Sequence, residues 1–186
     1  MVIHKGEYMS IFNNNYLKCK FIPKHPEKCL NYNGKMGVTN VPQLRSSWEK
    51  IFANWCDLNE NILEWGSEIV EIPYISCEDG KQHRYITDFV FTCKNRQGRI
   101  EKWLIEVKPK SQIPQLNENG QIIFPELNKK KKLTAKRIES WQEVCNVLKK
   151  NHDKWQQARE WARKYGYKFK IVSEEELGLV YQPKNK

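Results

Sequence analysis

The stretch that decides the fold runs from residue 85 to residue 108. It reads Tyr85-Ile-Thr-Asp88-Phe-Val-Phe-Thr-Cys93, then Lys94-Asn-Arg-Gln-Gly98, then Arg99-Ile-Glu-Lys-Trp-Leu-Ile-Glu106-Val-Lys108. β-Branched and aromatic residues crowd both flanks, which suits a pleated, half-buried surface, and Asn95 to Gly98 has the composition of a tight turn. Two antiparallel strands are predicted, Tyr85 to Cys93 and Ile100 to Val107, with Pro109 ending the second. Asp88 and Glu106 are equidistant from Gln97, so a hairpin centred there sets them opposite each other. Period-two alternation puts Glu106 and Lys108 on one face and gives Asp88 the face of Ile86 and Val90.

Two carboxylates facing each other on otherwise apolar strands repel unless positive charge lies between them. A divalent cation meets that need, and oxygen donors favour Mg²⁺ or Mn²⁺, which bind through one or two carboxylates and keep ligand positions for water and phosphate oxygens. Such an ion makes hydroxide accessible near neutral pH, and Lys108 would orient the attacking water or stabilise the charge of the transition state. Asp88, Glu106 and Lys108 are therefore the candidate catalytic group. Asp88 and Glu106 are the candidate metal ligands.

Working outward, Ile69 to Ile75 alternates as a strand and Glu78-Asp-Gly-Lys81 reads as a hairpin turn. The expectation is an antiparallel three-strand meander, 69–75, 85–93 and 100–107. Upstream, Trp48, Ile51, Phe52 and Trp55 have helical spacing, with Ser46 or Ser47 as N-cap. Glu49 lies on that helix, where the ordinary reading is a surface glutamate. Residues 111–128 read as a surface loop. Thr134 to Tyr165 is helical, with a break expected near Asn151 and a stop at Gly166. A short strand, Tyr167 to Val172, and a capping box at Ser173-Glu-Glu-Glu176 complete the domain. Trp141, Trp155 and Trp161 fall at helical spacing and are expected in the core.

Lys and Arg total 32 against 22 acidic residues, a net charge of +10, which suits a polyanionic partner such as nucleic acid. Arg84 (beside His83) and Lys110 flank the candidate strands and would hold a DNA backbone, although His83 and Arg84 equally suit a cross-strand structural role. Lys129, Lys130, Lys131 and Lys132 form a run that is either a solvated basic face or a track for phosphates. The apolar stretches are too short to span a bilayer and no signal-peptide pattern opens the chain, so a cytosolic protein without membrane contact is expected. Six cysteines stand without any CxxC pair, which fits free thiols better than a zinc or disulfide framework.

The ordered set Arg45-Ser-Ser-Trp-Glu49, then Gly80-Lys-Gln-His-Arg-Tyr-Ile-Thr-Asp88-Phe, then Leu104-Ile-Glu106-Val-Lys108-Pro-Lys110 resembles the PD-(D/E)XK, restriction-endonuclease-like superfamily. Within it the chain is similar to the TnsA-like branch and to the head completion nucleases of T-even-type tailed phages. The stretches at 20–28, 154–158 and 167–177 share that similarity. Thr87 stands where the superfamily's name has proline.

The resemblance implies an α/β core with a mixed β-sheet flanked by helices. It implies Asp88 and Glu106 as metal ligands, Lys108 as the catalytic lysine, Glu49 as a helix acid, and Lys154 or Gln157 facing the site. Residues 1–44, with three prolines, Gly-containing turns and little periodicity, read as a basic N-terminal extension, followed by the nuclease domain (45–177) and a C-terminal tail (178–186). The activity implied is Mg²⁺-dependent endonucleolytic hydrolysis of double-stranded DNA during phage head completion and genome packaging. Portal or head completion proteins would be partners, in the host cytoplasm or the virion. Two other classes fit the same residues: a catalytically silent DNA-end or portal-binding virion protein, and the endonuclease subunit of a transposition machine.

Overall fold

A four-stranded mixed sheet with one helix on each face organises the chain. The computed structural model describes residues 19–32, 41–127 and 132–179. The elements are β1 (Cys19–Lys20), β2 (Gln43–Leu44), α1 (Ser47–Leu58), β3 (Ile62–Ser67), β4 (Glu71–Ile75), β5 (Gln82–Ile86) and β6 (Phe89–Lys94). There follow β7 (Ile100–Val107), β8 (Gln115–Leu116), β9 (Ile122–Ile123), α2 (Ala135–Lys164) and β10 (Lys168–Val172). The central sheet has the order β10-β7-β6-β3, with β3, β6 and β7 antiparallel and β10 parallel to β7.

The β6–β7 hairpin has the register expected from its turn, with Phe89 opposite Ile105 and Phe91 opposite Trp103. Two parts of the expected meander differ. Residues 69–75 do not join this sheet: β4 pairs with β5 as a separate hairpin, and the third meander strand is β3, which the sequence pattern does not mark. Gly66 hides β3, since glycine is a poor strand former, and it lets the Ile69 side chain lie close against the strand. A Cβ at Gly66 would lie 2.4 Å from Ile69 Cδ1. The strand expected from 85 to 93 is also cut in two, with β5 in the hairpin sheet and β6 in the central sheet.

Alternation then sorts the core. Phe89, Phe91, Ile105 and Val107 face α1, where Ile51, Phe52, Ala53 and Cys56 cover them. Val90 and Leu104 face α2, where Trp155, Ala158 and Ala162 join Ile72, Tyr74 and Tyr85 of the hairpin. Of the three α2 tryptophans expected in the core, Trp155 is fully buried and Trp161 packs at the edge of this cluster. Trp141 lies outside it and donates to the Pro125 carbonyl.

Helix α2 is continuous over 30 residues and does not break near Asn151. Asn151 is tolerated mid-helix because its side chain is spent on a tertiary bond, donating to the Gln112 carbonyl at 2.9 Å. Gly166, at φ 74°, supplies the left-handed residue that ends the helix. The presumed loop at 111–128 contains the β8–β9 hairpin.

Part of the segment read as an extension is built into the domain. Cys19–Lys20 pairs with Gln43–Leu44, and Phe21, Cys29 and Leu44 are buried in the α1-side core. Irregular backbone hid this, because isolated apolar residues in a proline-rich stretch carry no period. Among the described residues no helix is long and apolar enough to cross a membrane.

Candidate active site

The break between β5 and β6 is made by Asp88. Its carboxylate Oδ2 accepts the Val107 N–H at 2.7 Å, a donor that a continued ladder would give to the opposite backbone. Its carbonyl accepts the Glu68 N–H at 3.1 Å. Glu68 holds φ 54°, a strained value for a non-glycine residue, at the point where β3 leaves the sheet. Beside it, Thr87 is fully buried and its N–H donates to the Val70 carbonyl, a bond a proline at this position would lack.

Glu106 continues the Leu104 face of β7 into the core and is 1% exposed. A carboxylate so deep needs partners, and three cation or hydroxyl groups provide them. The Tyr85 hydroxyl donates to Glu106 Oε2 at 2.5 Å, while Lys108 Nζ and Lys154 Nζ approach Oε1 at 3.2 and 3.3 Å. Lys108 Nζ also lies 3.8 Å from Asp88 Oδ2, so the lysine bridges the two acids.

The electrostatics follow from burial. Desolvation, with the negative charge of Glu106 next in weight, pushes the Asp88 carboxyl up to about 7, and Lys108 and the Val107 N–H offset only part of this. Burial opposes the charge on Lys108, but Asp88 and Glu106 outweigh it and hold the ammonium above its ordinary value. Burial and then Glu106 push the Tyr85 hydroxyl well up, so it stays protonated and donates.

These groups line a cleft of about 830 Å³ between the N-terminus of α1, the β4–β5 hairpin and the end of β7. Glu49 reaches the cleft wall, but its carboxylate is engaged. Oε2 accepts the Arg45 N–H at 2.8 Å, Oε1 accepts the Ser46 hydroxyl at 2.9 Å, and the Ser46 oxygen caps the Glu49 N–H. This is a variant of the capping box in which Glu49 reaches the N–H one residue before the cap, and it is legible in Ser46-Ser-Trp-Glu49 as the S-x-x-E pattern.

Arg84 also lines the cleft, exposed, 3.5 Å from Glu71 across the hairpin. Arg45 and Glu68, which sequence reasoning did not single out, form a 2.8 Å ion pair at the rim. Lys110 does not line the cleft and pairs with Glu175 at 2.6 Å. Lys132 is exposed, three residues before α2, whereas Lys129, Lys130 and Lys131 lie outside the described residues. Lys154 faces the site. Gln157 does not, because it bonds both the N–H and the carbonyl of Ile75 and ties the hairpin to α2.

Kinship agrees with this sheet and its acidic cleft. The chain belongs to the TnsA-like endonuclease family, whose N-terminal domain model matches residues 59–174. That span takes in Asp88, Glu106, Lys108 and Lys154 and leaves α1 with Glu49 outside. The chain is also 32% identical over 155 residues to the head completion nuclease of Enterobacteria phage T4, covering 78% of this chain and 93% of that protein.

Proposed function

We propose that this protein hydrolyses phosphodiester bonds of double-stranded DNA with a divalent cation held by Asp88 and Glu106, in a restriction-endonuclease-like core. The observation that carries the reading is the convergence of Asp88, Glu106 and Lys108 in one cleft, with the Asp88 carboxyl raised to about 7 by burial and then by the charge of Glu106, which Lys108 only partly offsets. An added cation would favour the ionised form of Asp88.

Among the described residues no group of three or more His, Cys, Asp or Glu side chains is arranged to hold a metal. Two hard oxygen donors are nevertheless the set that suits Mg²⁺ or Mn²⁺, which retain waters and take phosphate oxygens as further ligands. When bound, the ion supplies Lewis-acid stabilisation of the phosphoryl oxygens and a water of lowered pKa. Lys108 orients the attacking water and donates to the phosphoryl oxygens on which negative charge builds as the ester P–O bond breaks. Arg84 and Arg45 at the rim, with the run from Lys129 to Lys132, hold the flanking phosphates. Glu49 acts through its place on the cleft wall.

The biological setting proposed is phage head completion, with portal or head completion proteins as partners. The near full-length match to the phage relative favours this over a transposition subunit, because the TnsA-like model spans only residues 59–174. Incubation of supercoiled plasmid with the purified chain and Mg²⁺ or Mn²⁺ tests the chemistry. Wild type should nick, and Asp88→Ala and Glu106→Ala should not; equal nicking by all three overturns the reading. Complementation of a T4 strain defective in its head completion nuclease tests the setting. Full rescue by Asp88→Ala would favour a silent structural role.

A further inference from the structure

We infer that Tyr85 is a positioning residue for the reaction, orienting Glu106 so that one carboxylate oxygen, Oε1, faces the cleft. The inference rests on the metal-dependent reading above and extends it to a residue on a different sheet. Three observations carry it. The hydroxyl lies 2.5 Å from Glu106 Oε2, the short range of a hydroxyl donating to an ionised carboxylate. Glu106 has almost no contact with water, so Oε2 has few alternatives to this donor. The ring itself is fixed, buried among Ile72, Leu104 and Trp155, with Lys154 Nζ 4.4 Å above its centroid.

The chemical consequence follows from the two ends of the carboxylate. With Oε2 held by Tyr85, Oε1 is the oxygen at the end where both lysine ammonium groups of the cleft converge. A cation arriving in the cleft meets a carboxylate already set in one rotamer. It need not first order a mobile one, and such outer hydrogen bonds typically govern metal affinity about 10- to 100-fold. The β4–β5 hairpin thus has a function: it brings the Tyr85 hydroxyl over a strand it does not pair with.

The test uses the full chain and Mn²⁺ as the probe. Bound ion is measured by electron paramagnetic resonance, without DNA, for wild type, Tyr85→Phe, Glu106→Gln and the double variant. Tyr85→Phe should weaken Mn²⁺ binding about tenfold or more. It should raise the Mg²⁺ concentration for half-maximal cleavage by the same factor, with a smaller change in rate at saturating metal. In the Glu106→Gln background, loss of the hydroxyl should change binding less than twofold. A measurement on the unaltered chain guards against an unstable variant: with ¹³Cζ-labelled tyrosine, one tyrosine signal should move on Mg²⁺ loading of wild type and stay in place in Glu106→Gln.

Mn²⁺ affinity of Tyr85→Phe within twofold of wild type would overturn the inference, as would the absence of any tyrosine shift. Wild type that binds Mn²⁺ and cleaves, beside an unaffected Tyr85→Phe, removes the inference alone. Wild type that neither binds the ion nor cleaves removes the metal-dependent reading, and the inference with it.

Discussion

The two faces of the central sheet are made from alternate residues of the same strands, and they are built to opposite standards. On the α1 face, the rings of Phe89 and Phe91 pack on that of Phe52, with centroids 4.9 and 6.3 Å away, in a cluster that includes Ile105. On the α2 face the same alternation runs Leu104, then Glu106, and places a carboxylate where the period calls for a hydrocarbon. The first face stabilises the domain through burial. The second gives up part of that burial to hold an anion, which survives only because Tyr85, Lys108 and Lys154 surround it. One strand, β7, thus serves packing on one side and chemistry on the other.

Two substitutions would test whether the faces are separable. Phe89→Ala removes a fully buried ring from the α1 face and should cost about 3–5 kcal/mol in denaturant unfolding, while any protein that remains folded retains cleavage. Glu106→Gln should do the reverse. It should lower cleavage of plasmid by more than about 100-fold, or about 2.7 kcal/mol of transition-state stabilisation. Its stability loss should be smaller than that of Phe89→Ala, because the amide still accepts from Tyr85 and Lys108 remains beside Asp88. A Glu106→Gln variant as unstable as Phe89→Ala would show that the carboxylate belongs to the core and not to the chemistry.

How far each face was legible in the sequence has a physical explanation. The β6–β7 hairpin was readable because its register is fixed locally, by Asn95 to Gly98, and Asp88 and Glu106 follow from counting. The helix starts at Ser46 and Thr134 were readable for the same reason, since caps are local. β3 was not, because Gly66 answers to a close approach by Ile69, a contact with no pattern along the chain. Nor was the enclosure of Glu106. Its bonds to Tyr85 and Lys154 span 21 and 48 residues, and they exist only once the β4–β5 hairpin and α2 have docked on the same face. The partners of Lys110 and Gln157 are illegible on the same account, since Glu175 for one and the Ile75 backbone for the other lie far away in the sequence.

Glu49 belongs to neither face and sharpens the contrast from outside. As a capping-box residue it stabilises α1, and as a cleft-wall acid it adds negative charge near Asp88. Glu49→Gln separates the two roles, since glutamine also closes a capping box. The unfolding free energy should change by less than about 0.5 kcal/mol, while cleavage falls by about tenfold if the charge serves the reaction. Unchanged cleavage, with a loss of stability in Glu49→Ala alone, would assign the residue to the helix cap.

The smallest effect is expected farthest from Glu106 along α2. The C-terminal part of that helix carries Lys154, Trp155 and Ala158 against the sheet, whereas Val144 and Val147 are 42% and 41% exposed. Val147→Ser should therefore move stability by no more than about 0.5 kcal/mol and leave cleavage within twofold. A burial-based account of the α2 face requires this flat response. The same helix sets a lysine against a buried carboxylate at residue 154 and, two turns earlier, leaves Val147 part-exposed beside the buried Leu148, so sensitivity to substitution should follow burial from residue to residue and be low at Val147.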